Sequence, residues 1–169
     1  STAVGADTEA SAIDSSAFGH SASATGNFAT AIGVDAAATN TSATALGVTA
    51  NAGRFSTARG AESKATGSLA TAVGFDANAS GDQATLLGAE ATASGLTSVA
   101  GGAFSQSLGT GSIAIGGDGS SSFFAGAQAT ADRAIAIGVT ALADQADALA
   151  LGSNTAATGN DATAVGSAS

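Results

Sequence analysis

The sequence predicts an all-β solenoid, a stack of 14-residue coils each made of two short strands and two tight turns. Three observations predict it. Glycine closes a short phrase of small and apolar residues at Gly5, Gly19, Gly33, Gly47, Gly60, Gly74, Gly88, Gly102, Gly116, Gly126, Gly138, Gly152 and Gly166, with spacings of 14, 14, 14, 13, 14, 14, 14, 14, 10, 12, 14 and 14. Within the phrases, small residues alternate with larger ones, the period-2 mark of a strand. The alphabet is also reduced, with 24 glycines, abundant alanine and serine, and no proline, cysteine, methionine, tryptophan or tyrosine, as in repeat architectures.

The half-period comes next. Seven residues before many closing glycines stands a second glycine or a glycine-like residue: Gly26, Asn40, Gly53, Gly67, Gly81, Gly95, Gly109, Gly119 and Gly159. Each period is therefore two half-coils. In residues 27–33, Ala29 and Ala31 alternate with Thr30 and Ile32; in the half-coil before it, Ala22 and Ala24 alternate with Ser23 and Thr25. The small residues mark an interior wide enough only for Ala and Ser, and glycine or asparagine is expected to supply the positive φ of each turn. Coils stacked about 4.8 Å apart would pair each strand with those above and below. A disordered low-complexity segment has no reason to keep such registration. The seven phenylalanines and a modest set of Ile, Leu and Val are expected to supply most of the strong apolar burial, little for a globular core of 169 residues. The whole chain, 1–169, reads as one domain of about 12 coils, irregular at 116–138.

Charge and composition remove several functions. Thirteen acidic residues against Arg54, Arg59, Lys64 and Arg133 give a net charge of −9, which repels nucleic acid phosphates. Without cysteine there are neither disulfides nor thiolate metal sites. No apolar run approaches the ~20 residues of a membrane helix and no signal segment is present, so the chain is expected to be excised from a longer one. No cofactor or metal is expected.

The outward positions differ between half-coils. Before the closing glycines stand Phe18, Ile32, Leu46, Arg59, Val73, Leu87, Gly101, Ile115, Ala125, Ile137, Leu151 and Val165. Two residues earlier stand Ser16, Thr30, Thr44, Thr57, Thr71, Thr85, Val99, Ile113, Phe123, Ile135, Leu149 and Thr163. The other half-coil turns out mostly polar pairs: Ser23 and Thr25, Lys64 and Thr66, Asn78 and Ser80, Thr92 and Ser94, Leu142 and Asp144. A continuous apolar ribbon exceeds what a soluble monomer exposes, so it is expected to be an interface. Its candidate residues are Phe18, Ile32, Leu46, Val73, Leu87, Ile113, Ile115, Ile135, Ile137, Leu149, Leu151 and Val165. A closed cyclic assembly buries such a stripe.

The phrases Ser112-Ile113-Ala114-Ile115-Gly116, Ala134-Ile135-Ala136-Ile137-Gly138 and Ala148-Leu149-Ala150-Leu151-Gly152, with looser copies at 29–33, 43–47, 70–74 and 162–166, carry a family resemblance. The chain resembles, from about residue 3 to 166, the head of trimeric autotransporter adhesins of the Yersinia adhesin A type. The resemblance implies a left-handed parallel β-roll, a homotrimer, and display on a Gram-negative cell through an outer-membrane anchor that is missing here together with the coiled-coil stalk. It also implies attachment to a host matrix protein such as collagen, fibronectin or laminin, or to a host cell receptor, with autoagglutination and a role in virulence. Neither handedness nor the number three follows from periodicity.

Several residues depart from the pattern. Arg59 interrupts the apolar stripe in the 13-residue coil, where Glu62 or a bound anion would neutralise it, or where its head would reach water at the interface edge. Residues 116–138 read as two coils compressed into 22 positions, with a tight turn at Gly116-Gly117-Asp118-Gly119 in place of a metal loop, and Phe124 standing where Ala is usual. His20, the single histidine, has no nucleophile or carboxylate in motif relation, and no enzyme is expected. Asp7, Asp35, Glu62, Asp76 and Glu90 follow closing glycines and are expected to cap turns.

Function is expected to be multivalent adhesion, in which a weak patch recurs along a stiff rod and avidity strengthens attachment. Ser23, Lys64, Asn78, Thr92 and Gln106 are the candidate ligand-facing residues. A spacer carrying another binding domain is one alternative. An ice-binding threonine ladder through Thr30, Thr44, Thr57, Thr71 and Thr85 is a second, opposed by the aliphatic rank beside it.

Overall fold

The computed structural model describes residues 1–117 and 126–167. Its regular structure is parallel strand throughout. Three-residue strands, from Thr2–Val4 through Thr30–Ile32 to Thr163–Val165, form a twelve-stranded sheet; two-residue strands, from Ala37–Ala38 to Ala156–Ala157, form a nine-stranded sheet. Successive coils stack in chain order, as Thr30, Ala31 and Ile32 pair with Thr44, Ala45 and Leu46. Each coil is tied to both neighbours. The Thr30 amide donates to the Ala43 carbonyl of the next coil at 2.9 Å, and the Gly33 amide to the Phe18 carbonyl of the preceding one at 2.9 Å.

Between the sheets lies a file of alanine methyls. Ala29 and Ala31 of one half-coil and Ala36 and Ala38 of the other are inaccessible to water, and the pattern repeats along the stack. Leu86 is the largest fully buried side chain among the described residues. The expectation that phenylalanine and the larger aliphatics supply most of the burial is therefore corrected: Phe18, Phe28, Phe55 and Phe75 are exposed. Two strands this close leave room for about one methyl per inward position, so the chain gains its hydrophobic stabilisation in many small increments. Among the described residues the buried apolar cluster breaks between Ala100 and Ala114. Around this break the interior holds Ser98, Ser105, Ser107 and Ser112. The Ser107 and Ser112 hydroxyls are 2.6 Å apart, and Ser112 also donates to the Gly109 carbonyl at 2.7 Å.

The turns correct a second expectation. Closing glycines do take positive φ, +135° at Gly33 and +143° at Gly74. The left-handed residue two positions after a closing or half-period glycine, however, is seldom glycine: it is Asp35, Thr49 and Phe104 after Gly33, Gly47 and Gly102, and Phe55 and Leu69 after Gly53 and Gly67, at φ between 53° and 61°. Bulky and β-branched residues resist this conformation. Stacking holds them in it, because each donates its amide to a turn carbonyl of the preceding coil, Thr49 to Val34 at 2.8 Å and Leu69 to Arg54 at 3.0 Å. The threonines add a hydroxyl bond to the carbonyl before them, as Thr97 does to Leu96 at 2.7 Å. Half-period glycines serve another purpose. A Cβ on Gly67 would stand 2.1 Å from the Gly81 carbonyl oxygen, so their lack of a side chain permits the close approach of coils.

Both irregular coils resolve into local events. In the 13-residue coil, Ala38-Thr39-Asn40 is matched by Ala52-Gly53, one residue shorter, and the Ser56 hydroxyl spans the gap to the Gly53 and Ala65 carbonyls at 2.8 and 2.7 Å. Residues 116–138 are one coil, not two. Ile113–Ile115 pairs directly with Ile135–Ile137, and Gln106 with Gln128. Where the Gly102 carbonyl accepts the amide three residues on, at Ser105, the Gly116 carbonyl accepts that of Ala127 at 2.8 Å. The extra residues are an insertion at one turn, and Gly126 closes no strand. The sheet's twelve strands are joined by eleven coil-to-coil steps. Asp118, Gly119, Phe123, Phe124 and Ala125 lie outside the described residues.

Candidate functional site

The site-bearing feature is a difference between the two outer faces. In the twelve-stranded sheet the central residue of each strand points inward and its two neighbours outward, so parallel register aligns like residues into ranks. One rank runs Thr30, Thr44, Thr57, Thr71, Thr85, Val99, Ile113, Ile135 and Leu149. The other runs Phe18, Ile32, Leu46, Arg59, Val73, Leu87, Gly101, Ile115, Ile137, Leu151 and Val165. Phe18, Ile32, Leu87, Ile115, Leu151 and Val165 are exposed, whereas Leu46, Val73, Ile113, Ile135, Ile137 and Leu149 are half-buried by their neighbours in the rank.

The apolar surface is wider than these two ranks. Of the seventeen exposed large hydrophobic side chains among the described residues, fourteen lie in strands of this sheet or within two residues of their ends; Ile13, Leu96 and Leu108 are the exceptions. Phe28, Phe55 and Leu69 extend it on one flank, and Val34, Val48, Phe75 and Val139 on the other. Sequence reasoning missed these seven. Their signal was the continuation of the alternation by one step past each strand, which the turns obscure. Arg54 lies 4.6 Å over the Phe55 ring.

The nine-stranded sheet is polar. Ser23, Lys64, Asn78, Thr92 and Gln106 fall into a single register column, in which Lys64 pairs with Asn78, Asn78 with Thr92, and Thr92 with Gln106, while Ser23 bridges Ala37 at its upper end. Lys64 is exposed and the other four are half-buried. Lys64 Nζ is 3.6 Å from Asp76 Oδ1, both well exposed, a pair of small energetic consequence. Asp35, Glu62, Asp76 and Glu90 occupy left-handed turn positions at the edge of this face. Side chains also cap the stack: Asp82 Oδ1 accepts the Ser68 amide and Asp132 Oδ1 the Thr110 amide, each at 2.9 Å.

Arg133 and Asp147 make the best-formed ion pair, two parallel bonds of 2.6 Å on the surface. The hydrogen bond from Arg133, followed by its charge, holds the Asp147 carboxyl below its ordinary range. Arg59 is exposed, and among the described residues it is absent from the ion pairs, so the expected bond to Glu62 does not form within the chain. His20 has neighbours the sequence did not indicate. Asp7 Oδ2 lies 3.8 Å from Nε2 and Ser21 Oγ 3.1 Å from Nδ1, but Asp7 and His20 are exposed and Ser21 is only half-buried, a setting in which a carboxylate and imidazole do little to activate a hydroxyl. No group of three or more potential metal ligands occurs among the described residues.

No curated protein matches the chain. The family model for the YadA head domain repeat, two copies long, matches residues 1–19, 10–36, 65–91, 93–118, 125–141, 129–155 and 143–169. The stretch 37–64 outside these matches holds the shortened coil, and the break between 118 and 125 coincides with the insertion. The chain belongs to the YadA head-domain repeat family, the repeat that builds the heads of trimeric autotransporter adhesins.

Proposed function

We propose that this domain is the head of a surface adhesin, a left-handed β-roll that assembles as a homotrimer through its twelve-stranded face and meets its ligand with the nine-stranded one. The observation that carries the reading is that, among the described residues, fourteen of seventeen exposed large hydrophobics lie in the strands of the twelve-stranded sheet or within two residues of them, on a rod whose alanine core is too thin to absorb them. Left in water, that side is a liability; closed around a three-fold axis, it becomes the main core of the assembly. The polar column from Ser23 to Gln106 then recurs on three outer faces. A ligand that binds one step of it weakly gains by avidity from the rest.

The ligand class is a host matrix protein, collagen, fibronectin or laminin, or a receptor on host cells, and the full-length protein is anchored in the outer membrane of a Gram-negative bacterium. Attachment of the purified domain to surfaces coated with each matrix protein, and to cultured cells, tests this. The reading requires saturable attachment to at least one, weakened when Lys64, Asn78 and Gln106 are replaced together by alanine. Absence of attachment to all would favour a spacer that lifts another binding domain from the cell.

A further inference from the structure

Arg59 stands in an apolar rank, fixed by register between Leu46 and Val73. Its charge has no counter-ion within the chain among the described residues. Glu62, the nearest carboxylate in sequence, lies past Gly60 in the left-handed turn position, where its amide is bound to the Val48 carbonyl and the chain turns toward the polar sheet. The outward segments on either side, 42–48, 55–61, 69–75 and 83–89, contain no acidic residue. If this face closes on two in-register copies of itself, they bring the same segments and therefore no carboxylate. Three guanidinium groups would gather at one level of an apolar seam, and an unpaired charge there is strongly unfavourable.

We propose that the three Arg59 side chains of the trimer together bind one small inorganic oxyanion. The planar guanidinium fork matches an oxyanion in two-point bonds, a fit that a spherical halide or a lysine ammonium does not reproduce. The site is incomplete in one chain and rests on the homotrimer reading. Its position also gives a reason for tolerating arginine in the rank: an anion bound only by the assembled state stabilises assembly by mass action.

The test uses the wild-type domain and the variants R59L, R59K and E62Q. Light scattering first reads the mass of each, and thermal melts then follow sodium phosphate titrated against sodium chloride at equal ionic strength. The expected result is a three-chain mass for wild type, R59L and E62Q, a saturable rise in melting temperature with phosphate for wild type and E62Q, a smaller rise for R59K, and none for R59L beyond the general salt effect. An equal response in wild type and R59L, or no response in either, overturns the proposal while leaving the trimer intact. A response that is absent in wild type and appears only in E62Q also overturns it, by assigning the counter-charge to Glu62 of a sister chain. A single-chain mass for wild type overturns the homotrimer reading itself, and it is read before any phosphate is added.

Discussion

The twelve-stranded and nine-stranded faces share one backbone ladder and one alanine core, yet Ile137 and Leu142, only five residues apart, sit in different worlds. Ile137 lies in a rank of Leu, Ile and Val, whereas Leu142 follows Gln128 and Gln106 in a column of polar residues. The inward residues and glycine columns specify the rod, and they are the same on both sides. Only the outward residues distinguish the apolar face from the polar one. In a solenoid, then, folding and association are written at different positions and can be altered separately.

The largest expected effect breaks the comparison between those two residues. Ile137→Asp places a carboxylate in the seam and removes an aliphatic side chain from it, a loss of about 3–5 kcal/mol per chain, so the assembly should dissociate or unfold. Leu142→Asp, on the polar face, should leave mass and melting temperature nearly unchanged. Gel filtration and thermal melts of the two variants distinguish them.

Next in size is a change to the backbone that both faces share. Gly67→Ala would drive a methyl to 2.1 Å from the Gly81 carbonyl, forcing two coils apart. The cost should be about 2 kcal/mol or more, against less than about 0.5 kcal/mol for the outward Asn78→Ala, read from denaturant midpoints. A smaller effect of opposite sign is expected inside the serine coil. Ser98 Oγ is buried without a hydrogen-bond partner, so Ser98→Ala should stabilise the domain by about 1 kcal/mol.

The smallest effect lies on the surface. Asp147 titrates below its unfolded value because Arg133 favours its charged form. Its contribution is therefore present above the unfolded carboxylate range and is lost as pH falls through the lowered folded value. Its exposure to solvent makes it slight, and Asp147→Asn should flatten only a shallow part of the acid limb of a melting-temperature profile.

Much of this was legible because a repeat states each rule many times. The places of Ala29, Ala31, Ala36 and Ala38 are taken by alanine in most coils and by serine in several others, and the alternation alone identifies them as interior. The five candidate contact residues fell in one column because each occupies the same place in its repeat. Turn chemistry was not legible, since Asp35, Thr49, Phe55 and Leu69 share no propensity for positive φ and are held there by the coil above. The insertion was misread because Phe124-Ala125-Gly126 imitates the phrase that closes a strand, and hydrogen bonding, not composition, shows that the Gly116 turn continues to Ala127. Phe28 and Val34 escaped notice because they stand beyond the strands, although their exposure joins them to the stripe.

The most direct measurement is the absolute mass of the purified domain in dilute solution by multi-angle light scattering. Three copies of the 15.5 kDa chain in one particle is the predicted result. A folded particle of one chain, with Ile32, Leu87 and Leu151 open to water, would contradict the account.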